Sequence, residues 1–587
     1  MSRKKSAKAK LRARNVRRKR AKKTKARKRT RKEKWPPLII ERPVLYLDQA
    51  GARGASCYRV QFCNLDGETV VLDIPRTTFS RPSTVADVLL SAHALLPPKR
   101  EQQIELVKKA MAKRAGTKST LRVTNRVGWQ VGRPCFTYFT KTFGADDLEY
   151  NRHNNNYPAL GMTAGSLDGW REGLREACEY SDHLIFAAGI SASGPLFDIL
   201  GPSAEPAIYH FQGAAKPEDD DRAFKSSSGK TLSARVAQSL FARCQQQDLF
   251  GFSTTMRGLE ETCFACNNLT LVLDEEGTVG ESGSGEIDPK VLPFRIISGR
   301  SKKRSEAFGG GHHKNLSWTV PVISTSEREL DPGGKSFRKE GERVRMVAVP
   351  FPPTYEGGIF HKVKDPSERT RLAALVEHTI AQNYGVAMPS YLARLVEDRP
   401  ALILELPGML GSFISGVGAD TDSWERRLAS KFGIVAIGAQ LLARYGVGPW
   451  TEQRAVETGA ALYRASRATT VSIPRATGAF ISHLDTLMKI PGLFPVVEKG
   501  DIVTEQQKVE LIGIRRTIGG EQVIALPYTR FENLVRPSAV ADRALLALAD
   551  QGRLVTGADG NLRRQLQITG LGRERQRYVC IRMRPAT

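Results

Sequence analysis

The sequence predicts an α/β protein with a parallel sheet at its centre, and three observations predict it. Between residues 206 and 350 short apolar runs alternate with helical spacing, the pattern of a sheet with helices on both faces. One of those runs, "PAIYHFQG", precedes a "SSSGKT" that opens a helix. Another, "LTLVLDEE", ends in carboxylates at Asp274 and Glu275.

The elements follow in chain order. Residues 1–34 hold 20 Lys/Arg and one acid, Glu33, so the tail carries 19 of the 28 net positive charges. With almost no apolar side chain to bury, it is expected to stay disordered. A polyanion is its natural partner, nucleic acid first, because each neutralised phosphate releases a counterion. A solubilising or targeting tail is the alternative. Residues 35–120 read as a strand-rich α+β region, with "SCYRVQFCNLDGETVVLDIP" as two strands around an Asp-Gly turn and two helical segments after them. Residues 121–365 form the α/β core with its lead-in, in which 169–200 reads as one long helix that stops at Gly201-Pro202. Residues 366–470 are helical, 471–535 a strand-rich connector, and 536–587 have the order of a winged-helix domain with basic wings.

No apolar run reaches the roughly 20 residues of a membrane span, and the basic start has no signal-peptide core, so a cytoplasmic, nucleoid-associated protein is expected. Eight cysteines suit a reducing compartment; the lone "CFAC" at Cys263 and Cys266 reads as helix packing.

"SSSGKT" matches the end of the phosphate-loop pattern G-x-x-x-x-G-K-[ST], but its first glycine should fall at position 224, which is Phe224. Gly213, at the end of the preceding strand, serves as a displaced first glycine, with residues 214–225 as an insertion. Loop entropy grows only with the logarithm of length, so such an insertion is tolerable. The candidate binding set is then Gly213, Ser226, Ser227, Ser228, Gly229, Lys230 and Thr231. Lys230 can reach terminal phosphates, Thr231 can hold magnesium, and amides at a helix N-terminus favour anions. The acid run Glu218 to Asp221 opposes this, since carboxylates repel a triphosphate. Asp274 would hold magnesium with Thr231, and Glu275 would polarise an attacking water. Thr325, with Ser324 and Ser326 at the tip of "WTVPVISTSE", is placed to sense a terminal phosphate. Ordinary strand termination is the alternative for both tips.

These features in this order resemble the bacterial phage and mobile-element proteins described as superfamily II helicases and inactivated derivatives, grouped as a domain of unknown function. The resemblance runs from about residue 121 to 465 through "VGW", "GSLDGWREGL", "YHFQG", "SSSGKT", "LVLDE", "IISGRSKKR", "VISTSE" and "RVRMVAVP". It implies a P-loop NTPase core of the AAA+/RecA-like kind, with ATP and magnesium as cofactors, DNA (single-stranded or forked) as partner and a homo-oligomeric ring. It also implies that 298–317 carries a hairpin toward DNA, with Lys302, Lys303 and Arg304 as contacts. Arg563 and Arg564, with Arg573, Arg575 and Arg577, flank the expected wing and suit phosphate contact. Arg328, Arg343 and Arg345 are candidates for an arginine acting on a neighbour's nucleotide. The expected function is an ATP-dependent DNA helicase or translocase; the alternative is an inactivated derivative that binds DNA without hydrolysis.

Overall fold

The computed structural model describes residues 35–583 apart from 49–50, 114–118, 153–156, 214–227, 252–253, 275–291, 301–315, 326–343, 354–355, 421, 470–472, 491, 504–511, 536–540, 558–559 and 569–575. Two compact units divide it: 1–125 with 147–149, and 126–146 with 150–587.

The first unit is a five-stranded sheet. β1 (Ile39–Leu47), β2 (Arg53–Cys63) and β3 (Thr69–Pro75) run antiparallel, β4 (Leu121–Thr124) lies parallel to β1, and the edge strand comes from the segment Leu148–Tyr150. Alternation in β2 buries Tyr58, Val60 and Phe62 against Val85, Leu89 and Val107 of two helices, Pro82–Ser91 and Arg100–Ala112. The Asp-Gly turn between β2 and β3 forms where the sequence predicts it, with Gly67 at φ 84°.

The second unit begins with three two-residue strands, β5 (Gly128–Trp129), β6 (Phe136–Thr137) and β7 (Thr142–Phe143). With Leu148–Tyr150 as β8, the central sheet follows: β9 (Ile208–Gly213), β10 (Phe250–Gly251), β11 (Leu271–Asp274), β12 (Val322–Thr325) and β13 (Met346–Phe351). Its order is β10-β11-β12-β9-β13 and every pairing is parallel. All six residues of β9 and all four of β11 and β12 are buried, so these strands read as continuous apolar runs rather than alternations.

The segment 169–200 is three helices rather than the single one its apolar content predicts: Leu167–Tyr180, Asp182–Ser193 and Leu196–Leu200. Ser181 is extended, with φ −128° and ψ 110°, and its hydroxyl accepts from the Leu184 amide. Pro195 has no amide to give at the second break. The middle helix is buried at all twelve positions. It crosses the helix Ser423–Arg444 at two glycines: a Cβ on Gly438 would lie 2.7 Å from the Gly189 carbonyl, and one on Gly189 2.6 Å from that of Val435.

His183, on that middle helix, stacks on Phe351 at 4.1 Å and donates Nε2–H to the Pro350 carbonyl at 3.0 Å. Its Nδ1 is buried without a partner among the described residues. Burial pushes its pKa down to about 4 from 6.5. Between those values the unfolded chain takes up a proton that the folded chain refuses. His183 therefore contributes stability that is complete above pH 6.5 and is lost as pH falls toward 4, about 3 kcal/mol in all. Urea denaturation at pH 7 and 4.5 is expected to show most of this loss, and His183→Gln to remove its share of the acid slope.

Cys263 and Cys266 are buried on the helix Met256–Ala265 and its cap, with burial raising both thiols, Cys266 to about 12. Toward the C-terminus, β14 (Ile514–Ile518), β15 (Glu521–Pro527), β16 (Arg564–Leu566) and β17 (Gln576–Arg582) make an antiparallel sheet in the order β14-β15-β17-β16. The helices Ile473–Met488, Tyr528–Leu534 and Ala541–Asp550 share a core with it through Phe480, Phe531, Leu548 and Ile581. This sheet joins residues 514–527 to 564–582. Among the described residues no helix is long and apolar enough to cross a membrane.

Candidate functional site

In a parallel sheet all carboxyl ends face one edge, so residues far apart in sequence meet there. Gly213 ends β9, Asp274 ends β11 and Thr325 ends β12, in register with Ser324 beside Leu273 and Thr325 beside Phe211. The helix Lys230–Ser239 starts at the same edge. Its second residue, Thr231, donates from Oγ1 to Asp274 Oδ1 at 3.2 Å. Thr325 Oγ1 donates to the same carboxylate oxygen, and Gln246 Nε2 donates to Oδ2 at 2.6 Å. Asp274 is 6% exposed, yet both its oxygens are satisfied.

Gly229 is the N-cap of that helix, left-handed at φ 92° and ψ 13°, and as a glycine it has no side chain to cap the first turn. A Cβ there would meet Ile359 at 2.8 Å. Both conformation and space demand glycine. Ile359 belongs to a 3-10 turn, Gly358–Phe360, whose Ile359 amide donates to the Ser228 carbonyl at 3.1 Å. The turn thus clasps the start of the loop from the far side. Lys230 is 8% exposed and its Nζ lies 3.4 Å from Ser228 Oγ. Behind this edge, His210 of β9 shares a 3.0 Å hydrogen bond with Ser324 of β12.

The structure therefore brings together Gly213, Ser228, Gly229, Lys230, Thr231, Asp274 and Thr325 at one edge or its adjoining helix. Ser226, Ser227, Glu275 and the insertion 214–225 lie outside the described residues, as do Lys302, Lys303 and Arg304. Arg300 and Ser317, which bracket those basic residues in sequence, form an antiparallel bridge. Arg563 and Arg564 belong to the C-terminal sheet region instead. Arg563 sits 3.6 Å over the Tyr528 ring and donates to its hydroxyl, and Arg564 donates to the Thr556 carbonyl. Of the three arginines proposed to act on a neighbour, Arg345 is described; its Nε donates to Glu205 at 2.9 Å, and Arg328 and Arg343 lie outside the described residues. Sequence reading missed Gln246, one of three consecutive glutamines with nothing to single it out, and the turn at Ile359, whose partner is 131 residues earlier.

The described residues contain no group of three His, Cys, Asp or Glu that could hold a metal. Thr231 and Asp274 nevertheless offer a hydroxyl and a carboxylate side by side, hard oxygens of the kind magnesium takes while keeping waters.

The family of the "Domain of unknown function (DUF927)" matches residues 21–315. The chain belongs to the DUF927 family. The DUF927 region holds the basic tail from residue 21, the first unit's sheet, β9, the helix after it, and β11 with Asp274. The fold of the whole chain is similar to that of the solved structure of the SCCmec type IV Cch active helicase, at TM-score 0.57 and 14% identity, with 93% of each chain covered. The A-form apo structure of the NrS-1 C-terminal region, residues 305–718, aligns over 92% of this chain and 96% of its own at 9% identity, but at a TM-score of 0.27. By sequence, no curated protein matches the chain.

Proposed function

We propose that this member of the DUF927 family is an ATP-dependent nucleic-acid helicase or translocase with a P-loop core. The observation that carries the reading is the meeting of Thr231 and Thr325 on one oxygen of Asp274 at the carboxyl edge of a parallel sheet. The strand order supports it too, because β12 is inserted between the loop strand β9 and the acid strand β11. That insertion is what an additional-strand ATPase requires.

In this reading the first-turn amides of the helix and the Lys230 ammonium bind the phosphates. Gly229 lets the chain approach them closely. Thr231 and Asp274 would hold magnesium, which when bound neutralises charge building on the transferred phosphoryl group. Thr325 orients Asp274 and reaches toward the terminal phosphate, and Glu275 takes the proton of the attacking water. The basic tail and the stretch with Lys302, Lys303 and Arg304 supply sequence-independent contact to nucleic acid. A ring of several copies is the expected working form.

One observation favours a second reading, in which nucleotide is bound without turnover. Four acids, Glu218 to Asp221, sit in the chain just ahead of "SSSGKT". ATP hydrolysis with and without single-stranded DNA separates the two. The first reading expects turnover that rises with DNA and disappears in Glu275→Gln while binding remains. Wild-type protein that binds ATP but never hydrolyses it would leave the second.

A further inference from the structure

The opposite edge of the same sheet is also built for charge. Glu205 precedes β9, Ser317 to Thr319 precede β12 and Arg345 precedes β13, so these residues stand at the amino ends of the strands. A cleft of about 840 Å³ opens there, with Arg126, Arg300, Arg427 and Lys431 on its walls. Three cations share one carboxylate: Arg345 lies 2.9 Å, Lys431 3.3 Å and Arg427 3.6 Å from Glu205. Lys431 is 97% buried as a side chain and is pinned by the Glu205 carbonyl at 2.5 Å as well. Arg427, by contrast, is 52% exposed and makes the longest of the three contacts. Elsewhere in the lining Arg126 donates to the Ser317 carbonyl at 2.9 Å and to its hydroxyl at 3.1 Å. Asp198 is the second acid of the lining. Four cations therefore line a partly enclosed space with two carboxylates, and Arg345 pairs with one of those, Glu205. Positive charge in excess in such a place raises the local concentration of anions.

We propose that this cleft binds the phosphate backbone of a single-stranded nucleic acid, at the pole opposite the nucleotide site. Its volume suits a ligand of many atoms rather than one small ion. The lining cations fall in two groups, Arg126 and Arg300 at Ser317, Arg427 and Lys431 at Glu205, which fits phosphates repeated along a chain. Ser203, Thr319 and Ser430 add hydroxyls among them. The proposal rests on the nucleic-acid part of the reading above, not on ATP turnover. A free phosphate or nucleotide would present the same chemistry, and the experiment separates the sources.

The test uses the full chain, without nucleotide, and the double charge reversal Arg300→Glu with Arg427→Glu. A second double reversal of equal charge, Arg371→Glu with Arg394→Glu on exposed helix faces, controls for net charge. Binding of a fluorescent oligothymidylate is measured over a salt series. The cleft variant is expected to lose about tenfold or more in affinity at low salt. Its slope of log affinity against log salt should flatten by about 1 to 2, since each single-strand phosphate contact contributes roughly 0.7. The control should change far less, Arg427→Lys should bind like wild type, and unchanged affinity for a fluorescent ATP analogue should show that the cleft variant is folded. Lys230→Ala should leave the slope alone, which keeps failure of the nucleotide reading separate. Equal slopes in the cleft and control variants overturn the proposal. So does protection against melting by inorganic phosphate that vanishes in the cleft variant while the oligonucleotide slope stays unchanged, for the cleft would then take a free anion.

Discussion

Lys230→Ala is expected to lower ATP affinity by roughly 10- to 150-fold, and turnover with it, because a charge-assisted hydrogen bond contributes about 1.5–3 kcal/mol. The side chain is nearly buried beside Ser228, so the ammonium is already held at the loop. Asp274→Asn should behave differently. It keeps the shape and the hydrogen bond from Thr231 but removes the charge that would hold magnesium. Nucleotide binding should then stay within about tenfold of wild type while turnover drops at least about 100-fold. Thr325→Val should also bind and turn over slowly, since it removes a donor to Asp274 Oδ1 without touching the loop. Equilibrium binding of a fluorescent ATP analogue and phosphate release measure the two halves separately. Full turnover in Lys230→Ala would dismiss the loop as the phosphate site.

Glu205→Ala is expected to destabilise the fold by about 3–5 kcal/mol, the usual result of leaving a buried charge without its partner. Here the stranded group is Lys431, with Arg345 and Arg427 close behind. Lys431→Met in the same chain should recover most of the loss in a chemical denaturation experiment. The pH dependence provides a second check. Burial already lowers Lys431 to about 8 from 10.5, despite Glu205. Below pH 8 both folded and unfolded chains carry the proton, and the folded chain pays the full penalty. Between about 8 and 10.5 the folded chain releases it first, so this group's contribution to stability rises with pH. In Glu205→Ala that rise should begin at lower pH, because the carboxylate that favoured the ammonium is gone. A variant as stable as wild type, with the rise in the same place, would mean that Glu205 does not hold Lys431.

How much of this was legible follows from where the signals sit. Asp274 and Thr325 each end an apolar run, and a buried parallel strand shows itself in sequence as such a run followed by its first polar residue. Gly229 and Lys230 stand in a motif whose spacing carries its own mechanism. The register that brings Thr231 to Asp274 is a matter of pairing across 43 residues, which no local pattern records. The same holds for Gln246, for the clasp at Ile359 and for the union of 514–527 with 576–582. The long apolar stretch from 169 to 200 misled in the other direction. A helix buried on every side has no polar face to mark its phase, so breaks at Ser181 and Pro195 are overrun by composition. The helix Ala387–Gly416 lies in the stretch that reads as helical, but its unbroken length is hidden because Pro400 and Pro407 lie inside it, and such residues normally end a helix.

The order of the central sheet bears on how the chain comes off the ribosome. β9 is flanked by β12 and β13, and both follow it by more than a hundred residues. At about 5–20 residues per second, β9 waits roughly 5–20 s with both edges open and no strand to close either. Its neighbours in time, β10 and β11, are not its neighbours in space. The matched family region stops at residue 315, before β12 has been made. A fragment ended there carries β9 and β11, with Lys230 and Asp274 after and on them, but lacks β12, which stands between the two strands. What recurs as a stretch of sequence is in this case only part of what folds, and expression of residues 21–315 alone would release a buried strand, "IYHFQG", with nothing to pair against.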